Sequence, residues 1–228
     1  MPETRLAVFI DAGGTLLRPA RPVGHTYVQV AEHYGATADP ALLHQGFITA
    51  WNALKPRDPV QGARVMDDRG WWKDLVRRAW AASPLPPDFP FDDYFEEVYA
   101  AFERPELWRV FPEVPSVLEQ LRDRGIRCAV LSNWDRRLHR LLDALELSPW
   151  FEAVLISSEI GAEKPHPALF RAAEQRLGIS PAQALLWGDD PAADAAGAQA
   201  AGWRCRLVDR PQTDLADLLA ELLQTDSR

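Results

Sequence analysis

Leu6-Ala-Val-Phe-Ile10 is a short apolar run that ends directly in Asp11 and the turn residues Gly13-Gly14. A run of this kind, bounded by turn residues, is typical of a strand that is buried on both faces of a parallel sheet. The later part of the chain repeats the pattern in four further apolar runs, at 126–131, 153–156, 184–187 and 204–208. Amphipathic segments follow or precede these runs, at 116–124, 136–145, 168–177, 192–201 and 215–223. The alternation predicts a doubly wound α/β fold with a parallel sheet.

The stretch from about residue 23 to 103 has a different pattern. Its candidate helices span 24–34, 40–54, 67–82 and 92–103, with Pro-rich breaks such as Pro84-Leu-Pro-Pro87 between them, and it contains no convincing strand. We therefore expect a Rossmann-like core domain made of residues 1–17 and 108–228. An all-helical cap domain of residues 18–107 is expected to interrupt this core soon after its first strand.

The composition is that of a soluble globular protein and limits the classes of partner. The chain has 228 residues, 25 Lys and Arg against 33 Asp and Glu, and a formal net charge of −8. An acidic chain lacks the electrostatic footprint for nucleic acid or an anionic membrane. No apolar run approaches the roughly 18 residues of a membrane span. Two isolated cysteines, Cys128 and Cys205, are expected to be buried thiols, which favours a reducing, cytoplasmic environment.

Polar side chains follow the predicted strands where each strand ends. Asp11 follows the first strand, Ser132-Asn133 the second and Gly188-Asp189-Asp190 the fourth, while Lys164 lies in the loop region after the third. The carboxyl ends of parallel strands meet at one edge of the sheet, where α/β folds bind ligands. Only three of the 25 basic residues are lysines, which favours a specific role for Lys164. An acid, a hydroxyl, a lysine and an acidic pair at one edge predict a site for an anion and a metal ion.

The segments that carry these residues resemble a known family. They are Phe9-Ile-Asp11-Ala-Gly-Gly-Thr15-Leu16, Leu131-Ser132-Asn133, Glu163-Lys164-Pro165 and Trp187-Gly188-Asp189, with Asp194 five residues further on. Together they resemble the four motifs of the haloacid dehalogenase-like (HAD) hydrolase superfamily, in order and on the expected elements. Pro22-Val-Gly24, Trp71-Trp72 and the segment 132–138 resemble, within it, the branch called haloacid dehalogenase-like hydrolase domain-containing protein 3.

The resemblance implies a phosphatase-type mechanism with Asp11 as the nucleophile, which would form a covalent aspartyl-phosphate. It also implies that Mg²⁺ is held by Asp11, the backbone carbonyl of Gly13 and Asp189, an all-oxygen set that suits this hard cation. Ser132 and the backbone around Asn133 would bind the phosphoryl oxygens of a small phosphorylated metabolite. Lys164 would neutralise the charge of that group.

Two further acids have alternative interpretations. The resemblance implies that Asp194 supports the metal ligands or anchors the lysine. Asp194 could instead be an acid in the first turn of a helix, favoured by the helix dipole. Asp190 could belong to the site, but it precedes Pro191 and is expected mainly to cap the following helix.

Gly13 departs from the pattern of most phosphatases in the superfamily, which carry Asp two residues after the nucleophile. That second acid protonates the leaving group and later deprotonates the attacking water. Its loss predicts slow turnover of ordinary phosphate monoesters, because a positioned general acid–base contributes about 10²–10⁴-fold. An acidic leaving group, as in an acyl or aryl phosphate, would avoid the need for it. Alternatively Asp190, or His25 from the cap, could supply the proton.

Two other functions are compatible with the same residues. A 2-haloacid dehalogenase needs neither a metal nor an acid at position 13, but the Gly188-Asp189 motif favours the phosphatase type. A phosphometabolite-binding pseudoenzyme would keep Asp11, Asp189 and Lys164 without turnover.

The predicted cap domain is rich in aromatic residues at helical spacing, which we expect to form its own core rather than contact substrate. These residues are Trp51, Trp71, Trp72, Trp80, Tyr94, Tyr99 and Phe102. A cap of this kind would exclude water from the reaction. Arg18 and Arg21, near the predicted hinge, could contact a second anionic group of the substrate.

Overall fold

The structure is a computed structural model that describes residues 6–54 and 68–225. The described chain divides into two compact units, an α/β unit of residues 6–18 and 110–225 and a helical unit of residues 19–54 and 68–109. None of the helices in these ranges is long and apolar enough to cross a membrane.

Seven strands are present in the described ranges. In chain order they are β1 (Ala7–Ile10), β2 (Leu17–Pro19), β3 (Trp108–Val110), β4 (Arg127–Ser132), β5 (Ala153–Ile156), β6 (Ala184–Gly188) and β7 (Arg204–Leu207). Five of them form one parallel sheet in the order β5-β4-β1-β6-β7, while β2 and β3 form a separate two-stranded sheet. This architecture, together with the helices described below, confirms the predicted Rossmann-like α/β class.

The register of the sheet places the strand ends with their polar residues side by side. Ile10 of the central strand β1 lies opposite Val130 of β4 and Trp187 of β6. The amide of Asp11 continues the ladder by donating to the carbonyl oxygen of Trp187 at 2.8 Å. Residues that follow these positions therefore emerge at the same edge of the sheet.

Ten α-helices are described. They are α1 (Val23–Glu32), α2 (Pro40–Leu54), α3 (Asp68–Ala79), α4 (Phe91–Ala101), α5 (Val114–Asp123), α6 (Arg137–Ala144), α7 (Ser157–Ile160), α8 (Pro167–Leu177), α9 (Ala196–Ala201) and α10 (Leu215–Thr225). The first four belong to the helical unit and the other six to the α/β unit.

Alternate residues along the strands supply the core on one face of the sheet, because successive side chains of a strand point to opposite faces. Phe9, Leu131 and Leu186 pack in one buried cluster with Leu169 and Phe170 of α8. The positions between them, such as Val8 and Val130, are equally buried. Burial on both faces explains why the strand sequences are continuously apolar.

The helical unit has a separate aromatic core. Tyr94 is fully buried there, and its hydroxyl accepts a hydrogen bond from Trp80 Nε1 at 3.0 Å and donates to the carbonyl oxygen of Tyr27 at 3.2 Å. Trp72, Tyr99 and Phe102 pack against this core, and the rings of Trp51, Trp71 and Trp72 contact one another. The aromatic residues singled out in the sequence thus pack within their own unit.

The structure differs from the sequence interpretation at several element ends. The predicted helix 67–82 is α3 followed by the 3-10 turn Trp80–Ala82, and residue 67 lies outside the described ranges. The predicted helix 192–201 begins as a π-type turn, Pro191–Ala195, before α9. The short strands β2 and β3 and the one-turn helix α7 were not predicted.

The two thiols differ in exposure. Cys128 is buried in the second strand of the sheet, and burial raises its pKa to about 12. The prediction that Cys205 is buried was wrong, because it lies on the edge strand β7 and is half-buried.

Candidate active site

A buried lysine joins two carboxylates at the carboxyl edge of the sheet. The Nζ atom of Lys164 lies 2.7 Å from Oδ1 of Asp11 and 2.6 Å from Oδ1 of Asp194. All three side chains are buried, with 2% exposure for Lys164, 9% for Asp11 and 1% for Asp194. The fold therefore brings together three residues that are far apart in the sequence.

Asp189 adds a third carboxylate to this cluster. Ligand oxygens of Asp11, Asp189 and Asp194 all lie within 4.8 Å of one another. The Asp189 side chain is the exposed member, so a ligand from solvent can reach it.

Two glycines allow the carboxylates to lie against the backbone. Gly14 has φ +80°, and a Cβ atom there would lie 2.1 Å from Oδ2 of Asp189. A Cβ atom at Gly188 would lie 2.2 Å from Oδ2 of Asp194. Any larger residue at either position would displace an acid of the cluster.

The site is strongly polarised by burial and charge. Burial raises the pKa of Asp11 above its ordinary value, and the charge and hydrogen bond of Lys164 act against this rise. Burial would lower the pKa of Lys164, but the charges of Asp11 and Asp194 outweigh it and the pKa lies above its usual range. Partial burial, then Asp11 and Asp194, raise the pKa of Asp189, although solvent at its exposed side weakens these effects.

Asp194 is fixed by backbone amides as well as by the lysine. Its Oδ2 accepts hydrogen bonds from the amides of Asp189 and Asp190 at 3.0 and 2.9 Å. One carboxylate therefore fixes both Lys164 and the loop that carries Asp189. This geometry favours the interpretation of Asp194 as an anchor over that of an ordinary first-turn acid.

Asp190 behaves as a helix cap. Its Oδ1 accepts hydrogen bonds from the amides of Ala192 and Ala193 at 2.9 and 3.1 Å. This is the geometry of an N-cap residue. The capping interpretation of the sequence is therefore the one that the contacts favour.

Ser132 and Asn133 both contact the cluster, in different ways. The buried Ser132 hydroxyl hydrogen-bonds Asp11 and lowers its pKa. The Asn133 amide group instead pairs with the backbone of Lys164, donating to its carbonyl oxygen at 2.9 Å and accepting from its amide at 2.6 Å. Sequence reasoning missed this pairing, because only the fold brings the two loops together.

Position 13 has an aromatic neighbour that the sequence did not suggest. A Cβ atom at Gly13 would lie 3.3 Å from Cζ3 of Trp134, closer than ordinary van der Waals contact. Trp134 itself is half-buried.

The remaining candidates from the sequence are exposed residues. His25 is exposed on α1 of the helical unit, as is Arg21 just before it. Arg18 is exposed, and its guanidinium lies 5.9 Å from the ring centroid of Phe111.

The charge balance and the donor atoms fit a divalent cation. When all three carboxylates of the cluster are ionised, they stand against the single ammonium of Lys164, which leaves two negative charges in excess. Carboxylate and carbonyl oxygens are the ligands that Mg²⁺ prefers.

Comparison with known proteins assigns the family. A family model for haloacid dehalogenase-like hydrolases matches residues 6–202. The chain belongs to the HAD-like hydrolase family. The mouse haloacid dehalogenase-like hydrolase domain-containing protein 3 is 35% identical over 199 residues, which cover 87% of this chain and 79% of that protein. The human protein of the same name is 34% identical, over 89% of this chain and 81% of that protein.

Solved structures share the HAD fold at low sequence identity. The HAD-hydrolase YfnB from Bacillus subtilis, in a structure bound to magnesium, has a TM-score of 0.78 at 14% identity, covering 96% of this chain and 99% of that one. L-2-haloacid dehalogenase from Xanthobacter autotrophicus has a TM-score of 0.72 at 22% identity, covering 96% and 83%. At these identities the likeness supports the fold alone.

Proposed function

We propose that this HAD-like hydrolase is a magnesium-dependent phosphatase-type enzyme that transfers a phosphoryl group from a small substrate to Asp11 and then to water. The buried cluster of Asp11, Lys164 and Asp194, with Asp189 beside it, is the observation that supports the proposal. A buried carboxylate beside an ammonium group can attack phosphorus, and the ammonium can stabilise the negative charge of the phosphoryl group.

The first step uses the charge arrangement directly. A carboxylate oxygen of Asp11 bonds to phosphorus, and the bond from phosphorus to the leaving-group oxygen breaks with its electron pair going to that oxygen. The Ser132 hydroxyl and the Lys164 ammonium, which both contact Asp11, would bind the phosphoryl oxygens as the new bond forms. Because Asp194 and the Asn133 side chain hold Lys164, its ammonium needs little rearrangement.

The proposed metal ligands are Asp11, the backbone carbonyl of Gly13 and Asp189. When bound there, Mg²⁺ neutralises the excess negative charge of the cluster and polarises the phosphoryl group. The helical unit would act as a cap domain that excludes water during the transfer.

The absence of a side chain at Gly13 limits the substrates that turn over well. No acid at this position can protonate the leaving-group oxygen, and Asp190 already caps a helix through Oδ1. A leaving group of low pKa, such as a phenolate or a carboxylate, departs without a proton. In the second step a water oxygen bonds to phosphorus, Asp11 is released as a carboxylate, and the proton of the water passes to bulk solvent.

Two alternative functions make different predictions from the same residues. Gly13 is compatible with a haloacid dehalogenase, because a halide leaves without protonation. A dehalogenase needs no metal ion, however, so the excess negative charge around Asp189 would have no role in its reaction. A pseudoenzyme would bind phosphate and magnesium without turnover.

Phosphate release from acetyl phosphate and 4-nitrophenyl phosphate tests the proposal. We expect turnover that requires Mg²⁺, stops with a chelator, and falls at least about 10³-fold in Asp11→Asn, as for loss of a nucleophile. Asp143→Asn, the same change at an exposed position on α6, should retain activity. Halide release from 2-chloropropionate that persists with chelator would contradict the proposal in favour of a dehalogenase. Binding without any turnover would favour the pseudoenzyme.

A further inference from the structure

Trp134 lies close to the turn that follows Asp11. Along the chain it comes two residues after Ser132, the last residue of β4, whose hydroxyl contacts Asp11. Across the turn after β1 its ring atom Cζ3 lies 3.3 Å from where a Cβ atom at Gly13 would be. The indole therefore occupies space into which a side chain at position 13, two residues after the nucleophile, would project.

The position of Trp134 is fixed by its backbone. Its carbonyl oxygen accepts hydrogen bonds from Ser157 Oγ at 3.2 Å and from the Ser158 amide at 3.3 Å, both at the start of α7. The residue is half-buried, so part of its surface stays accessible to a ligand. A partly exposed aromatic ring on an anchored backbone at a polar site is well suited to bind a flat apolar group.

Gly13 is explained by space rather than by backbone conformation. Gly14 has a φ of +80°, which side chains rarely adopt, whereas Gly13 does not have φ in the left-handed region. A side chain at position 13 is thus compatible with the backbone but would press on the indole of Trp134. The ring and a side chain at this position compete for one space.

We propose that Trp134 is a specificity-determining residue that stacks on the aromatic leaving group of an aryl phosphate. This inference rests on the proposed function, because the proposed function is what places the substrate's phosphorus next to Asp11. The inference narrows the substrates from those with any leaving group of low pKa to those with a phenolic leaving group.

The chemistry of an aryl phosphate agrees with both features of the site. As the oxygen of Asp11 bonds to phosphorus, the bond from phosphorus to the phenolic oxygen breaks and the electron pair stays on that oxygen. The departing phenolate delocalises this charge into its ring, so it needs no proton from position 13. The same flat ring can lie against the indole of Trp134.

Comparison of an aromatic with a non-aromatic substrate tests the proposal. Both 4-nitrophenyl phosphate and acetyl phosphate have leaving groups that depart unprotonated, but only the first carries a ring. Trp134→Leu should lower kcat/KM for 4-nitrophenyl phosphate about tenfold, the size of a lost aromatic contact with its buried area. It should change kcat/KM for acetyl phosphate less than about twofold, within the scatter of substitutions that touch no substrate. Trp134→Phe, which keeps a ring, should restore most of the lost preference.

Trp150→Leu is the matched control, because Trp150 is also half-buried in the α/β unit but lies in the 3-10 turn Ser148–Trp150, packed against Arg122. It should leave the ratio of the two kcat/KM values unchanged. Equal losses for both substrates in Trp134→Leu would overturn the inference in favour of a purely structural role, and so would no loss for either. If neither substrate shows turnover that depends on Asp11, the proposed function fails and this inference fails with it.

Discussion

The α/β unit contains two buried ion pairs that look alike but are organised differently. Arg137 binds Asp135 through two contacts, Nη2 to Oδ2 at 2.5 Å and Nε to Oδ1 at 2.8 Å. Lys164 binds Asp11 and Asp194 at 2.7 and 2.6 Å. In both cases every side chain is less than a tenth exposed.

The difference lies in sequence distance and charge balance. Arg137 and Asp135 are two residues apart, and their opposite charges meet at the start of α6. Asp11 lies 153 residues from Lys164, and a third carboxylate, that of Asp189, stands close by. A local, balanced pair stabilises the end of one helix, whereas an acidic excess gathered from distant loops costs stability until a ligand neutralises it. Such an imbalance indicates a functional site.

Replacing the basic side chain of each ion pair should show the largest difference between the two pairs. Lys164→Met and Arg137→Met each leave a buried carboxylate without its partner, so both should lower the free energy of unfolding by about 3–5 kcal/mol. Only Lys164→Met should also lower phosphate release, by about 10³-fold, because it removes the charge that binds the phosphoryl group. Urea denaturation and phosphate release at a temperature where both variants are folded would check this. An equal loss of activity in both variants would contradict the distinction.

Adding a carboxylate beside the acidic cluster should increase the hydrolysis of alkyl phosphates. Gly13→Asp restores a general acid–base, which is expected to raise hydrolysis of an alkyl phosphate such as glycerol 3-phosphate about 10²-fold. Because Trp134 crowds position 13, the double variant Gly13→Asp/Trp134→Leu should gain at least as much. If neither variant hydrolyses the alkyl phosphate faster than the unaltered protein, the missing acid does not limit the reaction.

The acidic excess also predicts that magnesium stabilises the folded chain. At about 100 times its Kd, Mg²⁺ should add about 2.7 kcal/mol of stability. For a chain of this size that corresponds to a rise in Tm of about 5–10 °C. Asp189→Asn should lose this rise, while the exposed control Asp143→Asn should keep it. A thermal melt with and without MgCl₂ measures both, and an undiminished rise in Asp189→Asn would show that the cation binds elsewhere.

Breaking the partly exposed ion pair of Arg127 and Glu152 should have the smallest effect on the free energy of unfolding. The Arg127 guanidinium donates to both oxygens of Glu152, at 2.7 and 2.6 Å, and this hydrogen bonding lowers the pKa of Glu152 against a smaller effect of burial. A lowered pKa contributes stability that is present above the unfolded-state pKa and is lost as pH falls through the folded one. Glu152 is 43% exposed, so solvent screens the pair and Glu152→Gln should cost only about 0.2–1 kcal/mol at pH 7. Urea denaturation should show this difference vanishing in acid, and a difference that grows instead would reverse the sign of the pKa shift.

The parallel sheet and the convergence of Asp11, Ser132, Lys164 and Asp189 could be predicted from the sequence. Short apolar runs that end in polar residues specify a buried parallel strand and its functional end, and both signals are local. The position of the strand in the sheet then brings the ends together. The capping role of Asp190 could also be predicted, because an N-cap depends only on the residue itself and the three residues that follow it.

Contacts between distant loops could not be predicted in the same way. The pairing of the Asn133 side chain with the backbone of Lys164 and the approach of Trp134 to Gly13 depend on the relative position of loops that no periodicity records. The short strands β2 and β3 were missed because three residues are too few to show alternation. The half-exposed Cys205 was misjudged because an apolar run does not reveal which strand lies at the edge.

The most direct test is a rapid-mixing measurement of 4-nitrophenolate release in the presence of Mg²⁺. With no acid–base side chain at position 13, the water that attacks the phosphorylated Asp11 has no positioned base. The second step should therefore be slower than the first. We expect a burst of about one nitrophenolate per chain, with a phosphoryl group found by mass spectrometry on the peptide that contains Asp11, and no burst in Asp11→Asn. An Asp11→Asn variant that gives the same burst, or a phosphoryl group found on another residue, would contradict it.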